Sequence, residues 1–374
     1  AILDNFVRTR RVLRYKDNDK VFDRIKRGLP LYEVEKIESI GNSPNNLVIR
    51  GECLSACAYL KDKGIKVDLV YIDPPFASGA DYAKKVYIRR NPKLAEKIAK
   101  AEEQLDIEEL RAFEEKMYGD IWNKEDYLNW MFENLMAIKS IMSDKASIYV
   151  HLSYHIGHYV KILMDEVFGE DYFVNEIVWQ YFMGGKGKRE FAKKHDSIFL
   201  YTKNKEEYVF NKFNIKRYLD YIPSLGNDSA SGEDGKDEIG YYSVVACPDV
   251  WSLSGVFNMS NEYMNYSTQK PEALLDRIIK ASSNEGMLVV DFFGGSGVTA
   301  KVANDLKRNF IHVDVGVNSI QTVRDRLKEV NAEFDILDVK DGVSLFRNPI
   351  QTMDKLKSLI TGLRNEDSLN NFWE

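Results

Sequence analysis

The sequence predicts an α/β fold built around a parallel sheet. Three observations lead there: apolar β-rich runs alternate with helical patterns, the run Leu69 to Ile72 stops on Asp73-Pro74-Pro75-Phe76, and a second run, Met287 to Asp291, passes into a glycine-rich turn. Parallel strands need crossover helices, and helices on both faces leave strands apolar on both sides. Ligands of open α/β sheets sit at the carboxyl ends of strands, so acids placed there mark the region to follow.

With 374 residues the chain can hold a large α/β domain plus an inserted module. Three cysteines (Cys53, Cys57, Cys247) exclude a disulfide framework. Cys53 and Cys57 have no second ligand pair, so no metal site is expected. No apolar run reaches membrane-spanning length and no leader pattern is present, so a soluble, cytoplasmic protein is expected. The net charge of −6 and pI of about 5.6 argue against a generally basic nucleic-acid binder and leave a local basic groove open.

In chain order, residues 1–45 read as a charged N-terminal extension, an arm or small helix, whose arginines face solvent or touch a DNA backbone. Leu47 to Arg50 reads as a strand, Glu52 to Lys61 as a helix, and Leu69 to Ile72 as a strand buried on both faces. Each proline after Asp73 biases its predecessor away from helix, and neither donates a ladder hydrogen bond. Pro92 to Tyr118 reads as a densely charged helical insertion. Leu128, Met131, Leu135, Ile138 and Met142 then make one stripe of a helix over 127–142. A strand over 146–151, a helix over 159–168 and strands over 176–182 and 198–201 follow.

Between the last two lies Gly184 to Lys194, where five basic residues and three glycines fall within eleven positions. Glycines let backbone approach a phosphate and the cations neutralise it, so Lys186, Lys188, Arg189, Lys193 and Lys194 are candidate DNA contacts; a flexible charged loop is the alternative. Residues 203–265 read as irregular, with glycines and scattered aromatics, and long insertions of this kind carry recognition. His151 and His195 read as structural or hydrogen-bonding residues, because no nucleophile pattern accompanies them.

Ser267-Thr268-Gln269-Lys270-Pro271 opens a helix over 272–282 with proline in its first turn. After Asp291 comes Phe292-Phe293-Gly294-Gly295-Ser296-Gly297, then a helix over 298–306 and a strand Phe310 to Asp314. A tight glycine turn between strand and helix lets a ligand lie against backbone amides, and an acid closing the next strand is placed for ribose hydroxyls.

Asp73-Pro74-Pro75-Phe76 resembles the Asp-Pro-Pro-Tyr/Phe motif of DNA amino-methyltransferases, although taken alone it is also a plain strand-ending turn. The glycine turn resembles the same family's Asp-Pro-Phe-x-Gly-Ser-Gly-Thr-Thr, with Phe292 in place of proline and Val298 in place of the first threonine. Gln269-Lys270-Pro271 is similar to its Gln-Lys-Pro segment. The catalytic motif precedes the recognition stretch, which precedes the cofactor motif, an order similar to the β class that includes modification subunits of type III restriction systems.

The resemblance, over roughly 46–330, implies a Rossmann-like sheet with permuted motif order and an inserted target-recognition region. It implies S-adenosylmethionine as cofactor, held by Thr268, Gln269, Lys270, Pro271, Asp291, Phe292, Phe293, Gly294, Gly295, Ser296, Gly297, Thr299 and Asp314. Asp73 and Pro74 would accept the hydrogens of an exocyclic amine, with Pro75 stiffening the turn and Phe76 stacking on a flipped adenine, in a direct transfer that needs no metal. Cytosine N4 is the alternative acceptor, and an inactive DNA-binding specificity subunit the alternative role. Cytosine-C5 chemistry calls for a Pro-Cys pair, whereas Cys247 precedes Pro248. The implied partner is double-stranded DNA, with a homodimer and a restriction (nuclease or helicase) subunit both compatible. The implied division is an extension over 1–45, a catalytic half over 46–175, recognition over 176–265, a cofactor half over 266–335, and a C-terminal extension over 336–374.

Overall fold

The computed structural model describes residues 33–42, 45–75, 124–182, 189, 191–219, 234–256, 260, 262–264, 266 and 269–340. In order, the elements are β1 (Glu33–Ile40), β2 (Leu47–Arg50), α1 (Cys53–Asp62), β3 (Val67–Ile72), α2 (Lys124–Ile141), β4 (Met142–Leu152), α3 (Gly157–Phe168), β5 (Phe173–Gln180) and β6 (His195–Thr202). Then come β7 (Asn214–Tyr218), β8 (Asp234–Lys236), β9 (Tyr241–Ala246), β10 (Val250–Ser252), α4 (Glu272–Ser282), β11 (Leu288–Asp291), α5 (Val298–Asp305), β12 (Asn309–Asp314), α6 (Val317–Glu329) and β13 (Phe334–Lys340).

Ten strands form one sheet in the order β1-β13-β2-β12-β11-β3-β4-β6-β5-β10. All run parallel except β6 and the edge strand β1. Along β3 the side chains alternate between two cores. Val70 and Ile72 pack with α1, α2 and α3, while Leu69 and Tyr71 pack with α4, α5 and α6. A strand apolar on both faces is the signature of a sheet with helices on both sides.

From β3 the chain crosses to β4 through α2; from β11 it crosses to β12 through α5 on the opposite face. The two units therefore diverge, and the β3–β11 boundary is a topological switch point, where a crevice opens at the carboxyl edge. At the other edge Asp68 fixes the register by accepting from Ser143 Oγ at 2.8 Å and from the Leu288 backbone N–H at 3.0 Å.

Several expectations change. The sheet is mixed, because β6 reverses direction between β4 and β5. Within the N-terminal extension, residues 33–40 form β1, held to β13 by a ladder and the Lys36–Asp335 ion pair, and to α6 by the Arg324–Glu38 pair. The boundary at 335/336 cuts β13, which lies beside β2 inside the sheet. Met142 begins β4 instead of ending α2, and β5 ends at Gln180. The stretch 203–265 is not irregular throughout: β7, β9 and β8 make a small antiparallel sheet, and β10 joins the main sheet beside β5. The helical insertion over 92–118, residues 1–32 and the tail after 340 lie outside the described residues. No helix among the described residues is long and apolar enough to cross a membrane.

Candidate active site

Three neighbouring strands deliver carboxylates to one edge: Asp73 just past β3, Asp291 closing β11 and Asp314 closing β12. The register sets Asp291 opposite Tyr71 on one side and His312 on the other. Sequence separation is irrelevant here, because the switch point joins the halves.

Asp291 is 3% exposed. One oxygen accepts the Phe293 N–H at 3.0 Å and the other the Thr299 hydroxyl at 2.6 Å, which ties strand, turn and helix together. Burial pushes its pKa up to about 7, and the Asp73 and Asp314 charges add to the rise against those two hydrogen bonds. Asp314 braces the turn, accepting from Gly295 N–H at 3.0 Å and Gly316 N–H at 2.8 Å. Each carboxylate oxygen keeps a second lone pair for a hydroxyl donor.

The glycines are required by space. Gly297 sits at φ +77°, and a Cβ there would lie 2.4 Å from the Val323 side chain. A Cβ on Gly294 would lie 2.2 Å from the His312 ring. Burial lowers the His312 pKa to about 4, so the ring packs neutral, with Nε2 3.1 Å from Ser319 Oγ. Phe292 and Phe293 are buried, and Phe293 packs on Trp130 with ring centroids 5.5 Å apart.

Lys270 reaches across to Asp73 and donates to its carboxylate in an ion pair; the two side chains are 12% and 16% exposed. This segment was expected beside the cofactor, and the structure brings its lysine onto the carboxylate of the acceptor motif. Gln269 is spent on its own turn: its Oε1 accepts from Met264 N–H at 3.0 Å and its Nε2 donates to the Glu262 carbonyl at 2.5 Å. Pro271 is the N-cap of α4. Pro74 is buried and Pro75 half-buried. Phe76, Thr268, Lys186 and Lys188 lie outside the described residues, while Arg189 and Lys193 are exposed and Lys194 half-buried just before β6.

Two features escaped the sequence reading. Tyr127 and Trp130, in the first turns of α2, pack as tilted rings with centroids 5.6 Å apart, and burial, then the Asp73 charge, push the Tyr127 hydroxyl above its ordinary range. Both are buried in the core beside the site, Trp130 against Phe293, as their spacing reads. Beneath Asp73, Tyr71 Oη lies 2.8 Å from His151 Nδ1, and His151 Nε2 lies 3.3 Å from Asp196. That chain crosses β3, β4 and β6 and gives His151 the hydrogen-bonding role its sequence context suggested.

A tight glycine turn beside three carboxylates at one sheet edge suits a ligand carrying both hydroxyls and positive charge. The model of a family described as DNA methylase, covering N6 and N4 methyltransferases, matches residues 67–324. The chain is similar to the type II methyltransferase M.HpaI of Haemophilus parainfluenzae, 26% identical over 287 residues that are 76% of each chain. It is 25% identical over 276 residues to the DNA adenine methyltransferase YhdJ of Escherichia coli (strain K12), across 73% of this chain and 80% of that one. The Mod subunit of the type III restriction-modification enzyme EcoP15I of Escherichia coli is 25% identical over 195 residues, 51% of this chain and 30% of its own length.

Proposed function

This chain belongs to the N6/N4 DNA methylase family, and on that premise we propose that it transfers a methyl group from S-adenosylmethionine to the N6 amine of adenine in DNA. The observation that carries the proposal is the meeting of Asp73-Pro74 with the Asp291–Gly297 turn at the β3–β11 switch point.

The exocyclic amine is a weak nucleophile because its lone pair is delocalised into the ring. The Asp73 carboxylate and Pro74 carbonyl accept its two hydrogens and favour the localised geometry. Lys270 holds the Asp73 carboxylate in place through its ion pair. The cofactor supplies an electrophilic methyl on a sulfonium centre. Asp291 and Asp314 shape the glycine turn for it, and their negative field favours a cation. As nitrogen gains the methyl it must shed a proton, and Asp73 is the acceptor in reach. Asp73 at the head of the motif and the similarity to YhdJ support adenine over cytosine N4. The similarity to a Mod subunit supports work within a restriction-modification system.

The test is nucleoside mass spectrometry of unmethylated genomic DNA incubated with protein and S-adenosylmethionine, beside an Asp73→Ala control. N6-methyladenine formed only by the unsubstituted protein is the expected result. N4-methylcytosine would overturn the base assignment and keep the chemistry.

A further inference from the structure

Two phenyl rings stand in water at the edge of the sheet that carries the site. Phe191 is 99% and Phe182 69% exposed, with Tyr154 at 42%. Strand direction places all three at the carboxyl edge. Tyr154 follows the end of β4, the neighbour of β3, and Phe182 follows the end of β5; Phe191 precedes the start of the reversed strand β6. The segments are joined there, since Tyr181 N–H donates to the Lys194 carbonyl at 3.0 Å and Lys194 Nζ to the Phe182 carbonyl at 3.3 Å.

Cations are interleaved with these rings. Lys193 Nζ lies 4.9 Å from the Tyr154 ring centroid, and Arg189 is exposed in the same segment. Asp196, the acid next to this corner, is turned inward onto His151. Large rings left in water along one sheet edge mark a surface that meets a partner. Rings mixed with lysine and arginine, within an otherwise acidic chain, match a strand of nucleic acid, whose bases stack while its phosphates are neutralised.

We propose that Tyr154, Phe182 and Phe191 form a stacking platform for bases of the DNA strand from which the target adenine is drawn, with Arg189, Lys193 and Lys194 on its phosphates. The proposal rests on the DNA methylase reading and adds a place where the opened strand lies. Extruding a base strips its neighbours of stacking partners, and rings one to three strands along the same sheet edge from β3 replace those contacts.

The test uses a Phe182→Ala/Phe191→Ala double variant and fluorescence anisotropy of a labelled duplex of unmethylated genomic sequence across a salt series. Cofactor affinity, melting temperature and sedimentation are measured in parallel. The Kd for DNA is expected to rise at least about tenfold. The slope of log Kd against log salt stays unchanged, because no charge is removed, while a Lys193→Gln/Lys194→Gln variant lowers it by about 0.9 for each phosphate that is no longer neutralised. Cofactor affinity and melting temperature stay as in the unsubstituted protein. A phenylalanine variant that binds DNA normally overturns the platform, and so does one that instead dissociates an oligomer, because the rings then face a second copy. If the unsubstituted protein neither binds DNA nor transfers methyl groups, the methylase reading itself fails.

Discussion

Asp291→Asn separates what the buried acid does for the cofactor from what it does to the fold. The folded protein holds the Asp291 proton up to about pH 7, against an ordinary value of 3.8. Between those values the native state binds a proton that the unfolded chain has released, so stability falls as pH rises and the penalty is complete above the folded pKa. A shift of about three units corresponds to about 4 kcal/mol at alkaline pH, of which about 2 kcal/mol develops between about pH 5.5 and about pH 8. The amide keeps the shape, accepts from Phe293 N–H through its oxygen, and donates to Thr299 in place of receiving its hydrogen. Free of cofactor, the variant is therefore expected to melt higher than the unsubstituted protein at about pH 8, by several degrees, with the gap narrowing towards about pH 5.5. Added S-adenosylmethionine should raise the melting temperature of the unsubstituted protein and move the variant far less. Differential scanning fluorimetry at both pH values, with and without cofactor, reads all four states. A variant that melts lower at both pH values by the same amount would refute the view that a buried charge is held there for a cation.

Gly297→Ala forces a side chain into a left-handed residue against Val323; a loss of about 2–4 kcal/mol is expected by denaturant titration, with cofactor-induced stabilisation abolished. Lys270→Gln leaves the Asp73 carboxylate without its cation; stability should fall by about 1–3 kcal/mol and single-turnover methyl transfer at least about tenfold, measured with labelled cofactor.

The sheet's centre was legible because β2, β3, β11 and β12 are apolar on both faces and end on an acid, arginine or proline pair, a pattern that few other folds produce. β1 was not. Its Glu-Val-Glu-Lys-Ile-Glu-Ser-Ile run shows no sustained period and becomes a strand through the β13 ladder and ion pairs formed after folding. The positions of Asp73, Asp291 and Gly294 to Gly297 at strand ends were readable, because acids, prolines and glycines stop an apolar strand. The Lys270–Asp73 pair was not, because its partners are 197 positions apart. The nearness of Tyr127 and Trp130 to the site was hidden by their helical spacing, which reads as core wherever the helix packs.

The most direct measurement compares Asp73→Asn with the unsubstituted protein in a single turnover with labelled S-adenosylmethionine and duplex DNA, after cofactor and DNA affinities are shown equal. If Asp73 acts on the acceptor amine and the Asp291–Gly297 turn on the donor, binding survives and transfer falls about 100-fold or more. Transfer at the unsubstituted rate would contradict the account, for the carboxylate at the end of β3 would then have no part in the chemistry.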